Sequence, residues 1–200
     1  MTSLGLPSER SAVIVRASLP AALERLRRAS VGDAADGVPA HLTMLYPFVA
    51  PARLDAEVRV RLAGVAGRHL PFDYRLSGPA TWPDTVYVRV DPEEPFVRLQ
   101  ADLAAAFPAF PIYGRDAASF AFVPHVTVAE GAAVADPATL THDGWRSLPI
   151  RATASRLEVI ARPSSGPWQT VWRIRLGLPV ASDDPPQRPA GPDPSLEFAP

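Results

Sequence analysis

The chain has no cysteine among its 200 residues. A disulfide framework, a thiol nucleophile and a thiolate metal site are all excluded, and a cytoplasmic protein is the expectation. It has no lysine either, so all 20 basic residues are Arg. That removes a Schiff-base lysine, the lysine of a phosphate-binding loop and a lysine that carries a nucleotidyl group. No apolar run approaches the length of a membrane span, and the opening MTSLGLPSERSAVIV has no basic region ahead of a long apolar stretch. No membrane partner is expected. The net charge of −1 lacks the basic excess of a general nucleic-acid binder, though it leaves room for a local basic cleft.

With 47% apolar and 20% charged residues, the chain has the composition of a soluble domain. Its length suits one large domain or two small lobes sharing a core. Residues 11–18, SAVIVRAS, read as a strand from their β-branched centre. Residues 19–30 read as a helix with Pro20 near its first turn, and 31–39 as a Gly/Asp-rich loop. HLTMLYPF at 41–48 reads as a strand ended by Pro47. A helix over 52–69 follows from the spacing of Leu54, Val58, Leu62 and Val65, and a strand and turn over 72–82 follow it.

The same order then recurs. Residues 85–91 read as a strand, 95–107 as a helix with Leu99, Leu103 and Phe107 on one stripe, 108–119 as a loop, and FVPHVTVAE at 122–130 as a strand. VIVR at 13–16 is matched by VYVR at 86–89. A short helix near 137–141 and two strands, 151–162 and 168–177, joined as a hairpin around Pro163–Pro167, complete the reading. The expected fold is α+β: a bilobal domain over 1–178 with intertwined lobes, repeats at about 11–82 and 85–177, mostly antiparallel sheets, outer helices and a cleft between the lobes. Residues 179–200 carry seven prolines with Gly, Asp and Ser, the composition of a disordered tail.

Each repeat places His, one residue, then Thr inside an apolar strand: His41 and Thr43, His125 and Thr127. Positions i and i+2 of a strand share a face. If the lobes face each other, two imidazoles and two hydroxyls converge. That set suits cleavage of a cyclic phosphodiester, which needs a base for the attacking water and an acid for the leaving ribose oxygen. Histidine does either near neutral pH. A Thr hydroxyl can donate to a non-bridging phosphate oxygen as charge grows there. No metal or other cofactor is needed.

On these two strands and the duplicated order of elements, over roughly 10–178, the sequence resembles the 2H phosphoesterase superfamily. That group includes 2′-5′ RNA ligase-like proteins and RNA 2′,3′-cyclic phosphodiesterases. The resemblance implies that His41 and His125 are the catalytic pair, that Thr43 and Thr127 bind the phosphate, and that the substrate is an RNA end or a cyclic nucleotide. A monomer is expected.

Four further residues are candidates for base or phosphate contacts. Tyr46 and Phe48 follow the first motif. Tyr113 and Arg115 stand on the loop before the second motif. His69, at a helix end, and His142, in a Thr/Asp/Gly turn, read as structural. Trp168 and Trp172 are expected to share a face in the core. Glu130 is expected on the face opposite His125, which disfavours a metallohydrolase built on the histidines. The same residues would also serve a non-catalytic RNA- or nucleotide-binding module, or ligase-like activity, the reverse direction of the same chemistry.

Overall fold

The computed structural model describes residues 10–115, 121–164 and 166–178. The expected tail, and residues 116–119 of the second loop, lie outside the described residues. Among the described residues, eight strands form two four-stranded antiparallel sheets. The strands are β1 (Arg10–Arg16), β2 (His41–Leu45), β3 (Phe72–Trp82), β4 (Thr85–Asp91), β5 (His125–Glu130), β6 (Ile150–Ala154), β7 (Arg156–Arg162) and β8 (Gln169–Arg175). The first sheet runs β2-β1-β7-β8 and the second β5-β4-β3-β6. Edge strands β2 and β5 lie against each other, so the two sheets meet along the strands that carry His-x-Thr.

The sheets do not follow the repeat boundary. β3, at the end of the first half, pairs with β4 in the second sheet, and β7 and β8 return to the first sheet beside β1. The strand expected over 151–162 is therefore two strands. Ser155 separates β6, which pairs with β3, from β7, which pairs with β1. A single apolar run in the sequence cannot show that its halves pair with different partners.

Five α-helices among the described residues connect the strands: α1 (Ala21–Ser30), α2 (Gly32–Ala35), α3 (Ala56–Ala66), α4 (Glu94–Ala106) and α5 (Pro137–Thr141). α2 occupies part of the expected 31–39 loop. The side chain of Asp55 caps α3 by accepting from the Val58 amide at 3.0 Å, satisfying one of the donors a helix start leaves open. Pro95 in the first turn of α4 needs no amide partner there. α3 contributes Leu62, Val65 and Ala66, and α4 contributes Phe96, Leu99 and Leu103, to one continuous core. Alternate residues of both sheets join it, among them Val13, Leu42 and Leu157 of the first and Leu76, Val88 and Val126 of the second. The other face of the first sheet carries a smaller cluster of Ala12, Ile14, Ile160 and Trp168, with Val38 packed on it. No helix among the described residues is long and apolar enough to cross a membrane.

Candidate active site

The two His-x-Thr strands begin in the same way. His41 donates from Nδ1 to the Pro39 carbonyl at 2.8 Å. His125 donates from Nδ1 to the Val123 carbonyl, also at 2.8 Å. Each bond runs to the residue two positions back and fixes the tautomer, because a carbonyl only accepts. Nε2 is then the unprotonated nitrogen of both rings. At His41 it lies 3.1 Å from the Thr43 hydroxyl, which donates to it.

The register repeats as well. Arg16 stands opposite His41, and Ile14 opposite Thr43. Arg89 stands opposite His125, and Tyr87 opposite Thr127. The matched VIVR and VYVR segments thus hold equivalent places beside equivalent histidines. Both pairs of strands then slip at the same point. Met44 and Leu45 oppose the single Val13, and Val128 and Ala129 oppose the single Val86. Such a β-bulge reverses the alternation beyond it. Tyr46 and Glu130, five residues after their histidines, both turn into the cavity.

Both stand an odd number of positions after their histidines, so a regular strand would turn them away; the bulge brings Tyr46 to the face of His41, and Glu130 lies on the same side as His125 rather than opposite. That corrects the expectation for Glu130. A third slip, between Val159 and Ile160 on β7, separates the two tryptophans. Trp172 packs against the main core, while Trp168 sits on the other face and lines the cavity. They do not share a face.

The cavity, about 160 Å³, joins both motifs: His41, Thr43, His125 and Thr127 line it with Tyr46, Tyr113 and Trp168. Tyr113 is held there by a backbone φ of 55°, in the left-handed region that costs a side-chain-bearing residue energy. Its amide donates to the Tyr46 carbonyl at 2.5 Å, and its hydroxyl bonds Thr43. Phe48 does not reach the cavity. It is buried edge-on against Phe107 and Phe110, because the chain leaves β2 before it and its amide returns to Ser11 of β1. Arg115 is exposed and does not line the cavity. His69 bonds Asp102 at 2.9 Å, and His142 accepts from the Gly144 amide at 3.0 Å; neither lines the cavity.

Three residues that the sequence left unremarked complete the surroundings. Arg27 of α1 is buried and donates from its two Nη groups to the Val38 and Pro39 carbonyls, at 2.9 and 3.1 Å. It therefore holds the segment that also holds His41. Trp82, at the end of β3, and Tyr87, within β4, pack against the His125 ring with centroids at 4.6 and 5.4 Å. Their distance from the motif in sequence hides them; only the strand register brings them to His125.

Burial pushes His41 down to about 4, helped by the positive Arg27 and Arg16 and by His125 whenever that ring is protonated, against the pull of the Pro39 carbonyl. Burial also lowers His125, against the Val123 carbonyl. Glu130 is raised, first by burial and then by the neighbouring Asp33 carboxylate. Among the described residues, no three His, Asp or Glu side chains are grouped to hold a metal ion. The arrangement offers two neutral imidazoles, each with a nitrogen able to take or return a proton, and two hydroxyl donors between them.

An α+β fold of two antiparallel sheets meeting at paired His-x-Thr strands defines the class, the 2H phosphoesterases. Comparison with solved structures agrees. The fold matches Escherichia coli LigT complexed with 3′-AMP, with a TM-score of 0.50 and 18% identity, covering 86% of this chain and 100% of that one. It matches TT0787 of Thermus thermophilus, with a TM-score of 0.55 and 18% identity, covering 84% and 98%. A structure described as a phosphoesterase matches with a TM-score of 0.51 and 18% identity, covering 85% and 99%. No curated protein matches the chain. The family model of the 2′-5′ RNA ligase superfamily matches residues 15–166. The chain belongs to that superfamily.

Proposed function

We propose that this chain is a metal-independent phosphodiesterase that opens 2′,3′-cyclic phosphates on RNA ends or nucleotides, acting in the cytoplasm as a monomer. The observation that carries the reading is the matched pair of imidazoles in one cavity, each anchored through Nδ1 and each presenting Nε2.

One imidazole takes a proton from water through Nε2 as the water oxygen bonds to phosphorus. The bond from phosphorus to one ribose oxygen breaks, and the other imidazole, as imidazolium, gives its proton to that oxygen. The proton count is restored when the two rings exchange their extra proton with solvent. Both rings are neutral in the empty site, and the substrate's own negative charge favours the protonated form of a nearby imidazole. On substrate binding the Thr43 hydroxyl rotates its one proton from His41 Nε2 to a non-bridging oxygen, and Thr127 donates to the other, where the transition state gathers charge. Tyr46 and Tyr113, on the cavity wall, contact the phosphate. Attack by a ribose hydroxyl in place of water would run the same site in the ligase-like direction. The solved relative that holds 3′-AMP supports a nucleotide ligand.

The test is turnover of the four 2′,3′-cyclic mononucleotides and a short RNA with a cyclic end, in EDTA, with products resolved as 2′- or 3′-phosphates. Ring opening to a single regioisomer is the expected result. Absence of turnover with retained nucleotide binding would favour a binding module instead.

A further inference from the structure

Trp82 is separated from the second motif by more than forty positions, yet its indole lies edge-to-face on the His125 ring, with centroids 4.6 Å apart. Its own neighbour is Tyr87, whose ring lies 4.1 Å away and tilted by 30°. Tyr87 is buried, at 7% exposure, and occupies one side of the indole. Trp82 as a whole residue nevertheless stays 36% exposed. An exposed tryptophan, backed by a buried tyrosine and touching an imidazole of the cavity, is a stacking surface with one layer missing. Core packing explains Tyr87; it does not explain why the larger ring above it is left open beside the site.

We infer that Trp82 holds the nucleobase of the substrate, stacked on the side of the indole away from Tyr87, so that the β3–β4 turn is a nucleoside subsite of the second lobe. The inference rests on the phosphodiesterase reading for the place of the scissile phosphate, next to His125. Every base has a π face, so a stacking platform accepts all four, with preference following stacking strength. Arg89, opposite His125 in register and exposed, stands on the same strand as Tyr87 and supplies positive charge along that wall. The matched segment of the first lobe has no counterpart. Ile14 takes the place of Tyr87 there, and it is fully buried. The subsite therefore belongs to one side of the pseudo-symmetric cleft and gives the bound nucleotide a direction.

The experiment compares the wild-type protein with Trp82→Ala and Trp82→Phe on two substrates: cytidine or adenosine 2′,3′-cyclic phosphate, and a base-free ribose 2′,3′-cyclic phosphate. Trp82→Ala should lower the ratio of kcat/KM for the nucleotide over the base-free substrate about 5- to 150-fold, the range of one lost base–aromatic stack. Trp82→Phe should restore most of that ratio. An unchanged ratio, with both substrates slowed alike, would show that Trp82 only packs His125 and would overturn the subsite. Calorimetric titration with 3′-AMP reads the same contact without turnover. The affinity should fall by a similar factor in Trp82→Ala, and an equal affinity would also overturn the subsite. If the wild type turns over neither substrate, the phosphodiesterase reading fails, and the subsite stands or falls on the 3′-AMP titration.

Discussion

Arg27 and His41 bind the same acceptor, the carbonyl of Pro39, at 3.1 and 2.8 Å. One carbonyl thus connects a buried guanidinium on α1 to an imidazole on β2. Arg27 also lowers the proton affinity of His41 by its charge. Replacing Arg27 by Met should leave the buried Val38 carbonyl without its partner, at a cost of about 1–3 kcal/mol. It should also loosen His41 and raise its pKa above about 4. Thermal denaturation reads the first effect and an NMR titration of the ring the second. Arg27→Lys should fall short of the wild type, since an ammonium cannot reproduce the forked contact.

Acid–base catalysis by this pair needs one neutral and one protonated ring. In the free protein both histidines titrate below the ordinary value of 6.5, His41 near 4. Above pH 6.5 the protonated partner becomes scarce, about tenfold per pH unit. The profile of kcat/KM should therefore be bell-shaped with its maximum between about pH 4 and 6.5. The profile of kcat should lie at higher pH, because bound phosphate favours the protonated ring. A kcat/KM maximum near pH 8 would contradict this.

The same depression makes stability depend on pH. Between about 4 and 6.5 the unfolded chain holds a proton at His41 that the folded chain does not. Stability should be undiminished above 6.5, fall as the pH drops through that window, and level off below about 4, with a loss of at most about 3 kcal/mol from this group. His41→Gln should remove that part of the slope. Chemical denaturation of both proteins at pH 4.5 and 7.5 measures it.

Thr43 bonds both the His41 ring and Tyr113, while Thr127 lines the same cavity from β5. Val keeps the shape and removes the donor. Thr43→Val and Thr127→Val should each lower kcat about 10²-fold or more, the scale of a lost donor to a charged transition state, with smaller effects on KM. Steady-state kinetics on a cyclic mononucleotide decides it.

Glu158 is buried at 1% exposure, with Arg16, Arg156 and Arg173 at 2.9, 3.5 and 3.7 Å. It neutralises the arginine that stands opposite His41. Glu158→Ala should leave three neighbouring cations without their shared partner and lower stability by roughly 1–3 kcal/mol. The partly exposed arginines recover some solvation, so this is less than the loss of a fully buried pair. A Tm equal to that of the wild type would show that the carboxylate does not hold this face together.

Much of this site is legible in the sequence because it is written twice. The His-x-Thr motifs, the VIVR and VYVR segments and the order of elements mark two equivalent strands on their own. The bulges after Thr43 and Thr127 are not legible. A strand's alternation can be read from its own residues, but a slip belongs to the pair of strands, and each slip moves one residue, Tyr46 or Glu130, to the opposite face. Trp82 and Tyr87 are hidden for a related reason, since their contact with His125 exists only through the pairing of β3, β4 and β5. The exchange of β3 and β7 between the sheets likewise depends on the partners present in space, and local pattern says nothing of it. Phe48, beside a motif in sequence, belongs to the core because the chain turns back on β1 at that point.

The most direct test of the account is turnover of a 2′,3′-cyclic nucleotide in EDTA by the wild type, His41→Ala and His125→Ala, each shown to be folded by circular dichroism. The wild type should open the ring without a metal, and each single replacement should abolish turnover, leaving at least a ~10³-fold deficit. If either variant keeps turnover comparable to the wild type, or if chelation stops the wild type, the two imidazoles are not the acid and base of this protein.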